Sequence, residues 1–121
     1  MQWTVTFHTA FDAELPDLSL EVMEALTSAA GLLELHGPML GRPHADTLSG
    51  SKHANMKELR FNADDGVWRV AFAFDPTRKG IILVAGDKSG VAQARFYKGL
   101  IAKADKRFDE HLDALKQMKG Q

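Results

Sequence analysis

The chain has 121 residues, 45% of them hydrophobic and 26% charged, with a formal net charge of −1 and no cysteine. These proportions fit one globular domain over 1–121, and they exclude a disordered chain, a disulfide scaffold, a thiolate metal site and a cysteine nucleophile. The near-neutral total hides a split: residues 1–47 carry seven acids and one base, and residues 48–121 carry nine acids and fourteen bases. The second stretch is therefore a candidate surface for phosphate groups.

No apolar run approaches the ~20 residues of a membrane span, and the first residues lack the layout of a signal peptide, so a cytoplasmic protein is expected. The five histidines (His8, His36, His44, His53 and His111) show no H-x-x-x-H spacing. Neither a metal site nor a cofactor is expected from them.

In chain order, Met1 to His8 alternates Trp3, Val5 and Phe7 with polar residues, the period of a half-buried strand. Residues 9–18 read as a short helical turn broken near Pro16. Ser19 is a candidate N-cap for a helix with Leu20, Met23, Leu26, Ala30 and Leu33 at three- and four-residue steps, ending at Gly37-Pro38. Residues 38–56 are rich in Gly, Pro, Ser, His and Asn and read as a surface loop. A hairpin follows over 57–74, then "GIILVAG" (80–86), an apolar run expected of a strand buried on both faces. Phe96 or Tyr97 opens the last helix, whose stripe is Tyr97, Ile101, Ala104, Phe108, Leu112 and Leu115. The fold class predicted is α+β: a small mixed or antiparallel sheet, an N-terminal strand plus a three-stranded meander, with helices on one face.

The hairpin "KELRFNADDGVWRVAF" carries the chemistry. Leu59 and Phe61 share the core face with Trp68, Val70 and Phe72, which sends Glu58, Arg60 and Arg69 to the other face. A turn at Asp64-Asp65 sets Arg60 directly opposite Arg69, whereas a turn at Asp65-Gly66 makes them diagonal neighbours. Facing like charges are destabilising. Either Glu58 and other acids neutralise the pair, or the missing counter-charge is an anion, for which guanidinium groups suit phosphate. The small Ala71 and Ala73 leave that face open. Lys52, His53 and Lys57 precede the first strand, and Asp87-Lys88 closes the third. Cations, an imidazole and a carboxylate around one sheet face suit RNA transesterification. A base takes the 2′-OH proton, cations hold the phosphorane, and an acid protonates the leaving oxygen.

The ordered fragments "GPMLGRPHADTLSGSKHANMKELRF", "WRVAFAF" and "ILVAGDKSG" resemble the HigB-like, phage-derived branch of the RelE/ParE toxin superfamily of type II toxin–antitoxin systems. The resemblance implies a RelE/ParE-like domain acting as an mRNA interferase, an endoribonuclease that needs the ribosome and no metal. It also implies an antitoxin partner of the HigA-like, helix-turn-helix kind. By position it makes Arg60, Arg69 and Lys88 the catalytic cations, with His53 and Asp87 as acid/base groups. Lys52, Lys57, Arg78 and Lys79 become contacts to RNA or ribosome. Tyr97 could supply a phenol, although its stripe position points to core packing. Gly86-Asp87-Lys88-Ser89 has no aromatic and a single lysine, which fits an inactive relative that acts only with its antitoxin at a promoter; a gyrase-poisoning binding protein, which does not need the hairpin cations, is the other alternative.

Overall fold

The computed structural model describes residues 2–119, so Met1 of the predicted first strand lies outside them. The first strand is β1 (Val5–Phe7), shorter than its alternation implies, because Trp3 N–H bonds instead to the Glu34 carbonyl at 2.8 Å. Helix α1 (Thr9–Glu14) runs into a 3₁₀ turn at Leu15–Asp17 that contains Pro16. Helix α2 (Leu20–His36) starts at Ser19, whose Oγ accepts the Val22 N–H at 3.2 Å. Its buried stripe keeps Leu26 and Leu33 of the predicted set, with Val22 and Ala29 in place of Met23 and Ala30, and Leu20 is exposed.

The predicted loop holds a short strand, β2 (Ala45–Thr47). Strands β3 (Lys57–Ala63), β4 (Gly66–Phe74) and β5 (Gly80–Asp87) form the meander, and α3 (Gln93–Lys119) closes the chain. Helix α3 begins three residues before Phe96 and runs through Gly99 unbroken. The sheet order is β1-β5-β4-β3-β2, with β1 parallel to β5 and the other pairs antiparallel. This is the α+β class with a mixed sheet. Among the described residues no helix is long and apolar enough to cross a membrane.

Helices lie on both faces of the sheet, which corrects the expectation of one covered face. Helix α2 packs over Leu59, Val70, Phe72 and Ile82. On the reverse side Leu100, Ala104 and Phe108 of α3 pack over Ala71, Ala73, Ile81, Leu83 and Val84. Ala71 and Ala73, 0% exposed, do not leave an open face; their small side chains let α3 approach the sheet. The alternation of β5 slips at a bulge, where Ala71 pairs with Val84 but Phe72 pairs with Ile82. Leu83 is left out of register, and its carbonyl accepts Arg107 Nη1 at 2.8 Å. Arg107 is itself buried and clasped by both oxygens of Glu14, at 2.8 and 2.7 Å.

Candidate functional site

The hairpin turn decides the site. Asp64 and Asp65 take φ of 51° and 59°, the paired positive values of a two-residue turn whose twist matches the strands. Aspartate tolerates this left-handed region better than most residues. Gly66 is needed for close approach instead, since a Cβ there would lie 2.7 Å from Trp68 Nε1 and 2.8 Å from Asp87 Oδ2. Ala63 therefore pairs with Gly66, and Arg60 sits directly across from Arg69.

Both arginines lie on the α3 side of the sheet with Glu58, which is opposite Ala71. The Glu58 side chain is 5% exposed. Its Oε2 accepts Arg60 Nη1 at 2.8 Å, and its Oε1 accepts the Tyr97 hydroxyl of α3 at 2.9 Å. Arg69 Nε stands 4.0 Å from the same Oε1. Arg69 donates through Nη1 to the Trp68 carbonyl at 2.9 Å, while its buried Nε has no partner. One carboxylate thus faces two guanidiniums, and the cluster keeps a positive charge that is poorly screened by water. Arg60 is the reachable member, with a side chain 24% exposed against 7% for Arg69.

Arg60, Glu58 and Tyr97 form the floor and one wall of an open cleft of about 560 Å³. Asp46, the cross-strand neighbour of Glu58 on β2, and Arg42 also line it, joined by Arg42 Nε and Nη2 at 2.9 and 2.7 Å from Asp46 Oδ2. The Arg42 hydrogen bond, followed by that from Thr47 N–H, holds the exposed Asp46 carboxyl below the usual carboxylate range. Burial, and then the Glu58 carboxylate that accepts its proton, push the Tyr97 phenol upward. It therefore stays a hydrogen-bond donor at neutral pH. The ring packs edge-on against Phe96 with centroids 5.2 Å apart, so Tyr97 is both a packing residue and a polar one.

The other predicted site residues do not converge here. His53 Nε2 is 2.8 Å from Asp109 Oδ1, its ring lies edge-on to Phe108 at 4.9 Å, and Lys52 pairs with the same Asp109. Ser51 Oγ donates to Asp105 at 2.5 Å, so the loop docks on α3 two to three turns beyond Tyr97, roughly 12–18 Å along the axis at about 1.5 Å per residue. Lys57 belongs to β3 and shares the face of Leu59; its Nζ donates to the Pro38 carbonyl at 2.8 Å. Asp87 pairs with Trp68, one step out of phase with Arg69. Its Oδ1 accepts Ser89 Oγ at 2.6 Å, Ser89 N–H at 2.9 Å and Val67 N–H at 3.0 Å. Those bonds, the Ser89 hydroxyl first, hold Asp87 below the ordinary aspartate range. Its bonds are those of a turn former. Lys88 is half-exposed beyond β5, with no side-chain ion pair among the described residues. Arg78 and Lys79 are exposed at the opposite end of the meander, where Arg78 lies 5.0 Å over the Trp3 ring.

Arg42 and Asp46 escaped sequence reasoning, their four-residue spacing in a loop being the only signal. Among the described residues no group of three or more His, Asp or Glu is placed to hold a metal ion.

The family model described as "Phage derived protein Gp49-like" matches residues 13–109. Two proteins of Mycobacterium tuberculosis (strain ATCC 25618 / H37Rv) are similar to the chain. One, named "Putative toxin HigB2", is 42% identical over 111 residues, which cover 91% of this chain and 54% of that protein. The other, named "Putative toxin HigB3", is 44% identical over 95 residues, which cover 78% of this chain and 81% of that protein. The chain thus spans about half the length of the first relative. No solved structure matches it significantly.

Proposed function

Because this chain belongs to the Gp49-like family of phage-derived proteins, in its HigB-like toxin branch, we propose that it is the toxin of a type II toxin–antitoxin system. It acts in the cytoplasm as a ribosome-dependent endoribonuclease held in check by an antitoxin. The observation that carries the enzymatic reading is Arg60, a partly exposed guanidinium on a cleft floor that Arg69 keeps positive from below.

In this reading a messenger phosphate occupies the cleft and bonds to Arg60. The 2′-oxygen attacks phosphorus, the bond to the 5′-oxygen breaks, and a 2′,3′-cyclic phosphate remains. Arg60 and Arg69 spread the charge of the pentacovalent state, Arg69 from a buried position where a fixed cation acts more strongly than in water. Proton exchange falls to the groups beside Arg60: the Glu58 carboxylate accepts from the 2′-OH, and the Tyr97 hydroxyl donates toward the leaving oxygen. Those roles replace His53 and Asp87, whose side chains are bonded elsewhere. Lys88 remains a candidate contact to RNA, as do Lys52, Arg78 and Lys79 on the far side.

Controlled expression in bacteria with mapping of cut messages tests this. Growth arrest with cut messages is expected, and Arg60→Ala lowers cleavage by roughly 10²-fold or more while the protein stays folded. Intact messages in the presence of folded wild-type protein overturn it. A second reading, a non-catalytic protein of the same fold, is favoured by Glu58 already satisfying Arg60 at 2.8 Å. Arrest with uncut RNA and blocked DNA supercoiling supports a gyrase poison. Promoter repression with its antitoxin and no arrest supports an inactive relative.

A further inference from the structure

Glu58 has more suitors than it has strong bonds. Arg60 takes Oε2 and Tyr97 takes Oε1, while Arg69 Nε waits 4.0 Å from Oε1 with no partner of its own. Arg69 Nε is the one buried side-chain polar atom without a partner among the described residues, and its side chain is more than nine-tenths buried. Buried donors are almost always satisfied, so one left open beside a carboxylate calls for a physical reason.

Charge supplies that reason. As the molecule stands, Glu58 is neutralised by Arg60, and Arg69 has only the Trp68 carbonyl. A phosphodiester entering the cleft competes for Arg60, the exposed guanidinium. A buried carboxylate stripped of its cation must find another. Among the groups facing it, Tyr97 is neutral and Asp46 is like-charged. Arg42 lines the same cleft but is already paired with Asp46. Arg69 Nε is the cation at hand, and closing from 4.0 Å to a charge-assisted bond of about 2.8 Å takes roughly 1.2 Å of movement.

Resting on the phosphate-binding reading of this cleft, we propose that Glu58 changes partners when substrate binds, its Oε1 positioning Tyr97 while its Oε2, freed from Arg60, faces the substrate as base. When a phosphodiester takes Arg60, Glu58 Oε1 closes onto Arg69 Nε and releases the Tyr97 hydroxyl, which then donates to the phosphate. Arg69 therefore acts through Glu58 by giving it somewhere to go. The empty site holds Tyr97 to the sheet, and the filled site turns it toward substrate.

Tyr97 is the only tyrosine in the chain, so a ¹³C label on its phenol carbon gives a single NMR signal for the hydroxyl's partner. The probe is a thymidine dinucleotide, which lacks the 2′-hydroxyl and cannot be cut. In the wild type it is expected to move both the amide signals of residues 58–60 and the Tyr97 signal. Arg69→Lys keeps the charge but removes Nε. That variant is expected to bind about tenfold more weakly and, once saturated, to leave the Tyr97 signal where it began. A saturated Arg69→Lys chain whose Tyr97 signal moves as in the wild type overturns the partner exchange, because proximity to phosphate alone then explains the shift. So does a wild type in which the amides move and Tyr97 does not, with the phosphate site left standing. If neither signal moves at millimolar dinucleotide, the phosphate reading fails and the exchange falls with it.

Discussion

At Gly37 the backbone takes φ of 58°, and a Cβ built there would lie 2.3 Å from Trp3 Nε1. Left-handed backbone costs a side chain about 1–2 kcal/mol, and a clash in packed surroundings adds a similar amount. Trp3 cannot easily retreat, because its ring meets Phe74 edge-on at 5.4 Å and carries Arg78 on its face. Gly37→Ala is therefore expected to lower stability by about 2–4 kcal/mol, read from denaturant midpoints with unchanged slope; a loss under about 0.5 kcal/mol would show that the Trp3 corner is loose. The sequence located this glycine as a helix stop, which needs only local chemistry. It could not show that Trp3 sits on it, a contact across 33 intervening residues.

Helix α1 depends on a cap that can be switched off. His8 Nδ1 accepts the Ala10 N–H at 3.1 Å, which it can do only while that nitrogen is unprotonated. Burial pulls the His8 imidazole below its ordinary range; Arg107 and His111 add to this, and Glu110 opposes it. A folded-state value below the unfolded one means that the stabilisation is fully present above about pH 6.5 and fades as pH falls through the folded value. Loss of an N-cap costs about 1 kcal/mol. Wild-type stability is thus expected to drop between pH 7.5 and 5.5 by more than that of His8→Asn, which keeps an acceptor without titrating. Parallel urea curves for both proteins across that range would refute the cap. At the same scale, the two alternative hairpin turns could not be separated from the sequence, since Asp-Gly is the stronger signal in isolation. Tertiary contact decides for Asp64-Asp65, because Gly66 is held between Trp68 and Asp87.

Across the whole molecule the basic excess of residues 48–121 does not form one surface. Arg60 lines the cleft together with Arg42 of the first stretch, Arg69 and Arg107 are buried, Lys57 turns to the other face, and Lys52 binds Asp109. If the proposed cleft holds RNA through Arg42 and Arg60, about two phosphates are contacted. The logarithm of affinity for short single-stranded RNA should then fall with log salt at a slope of about −1.4. Fluorescence anisotropy from low to moderate salt measures it, and a slope steeper than about −3 would mean that Lys52, Lys88, Arg78 or Lys79 bind as well.

The sequence alone determined the element types, the α+β class, the family and the shared face of Arg60, Arg69 and Glu58, because alternation and helical periodicity are properties of neighbouring residues. Only the tertiary structure decided that α3 covers that face, that Tyr97 rather than His53 or Asp87 completes the cluster, and that Arg42 and Asp46 line the same cleft. Those facts depend on where a helix and a loop dock. Docking is set by packing over Ala71 and Ala73 and by charge pairs such as Lys52–Asp109, which no local pattern records.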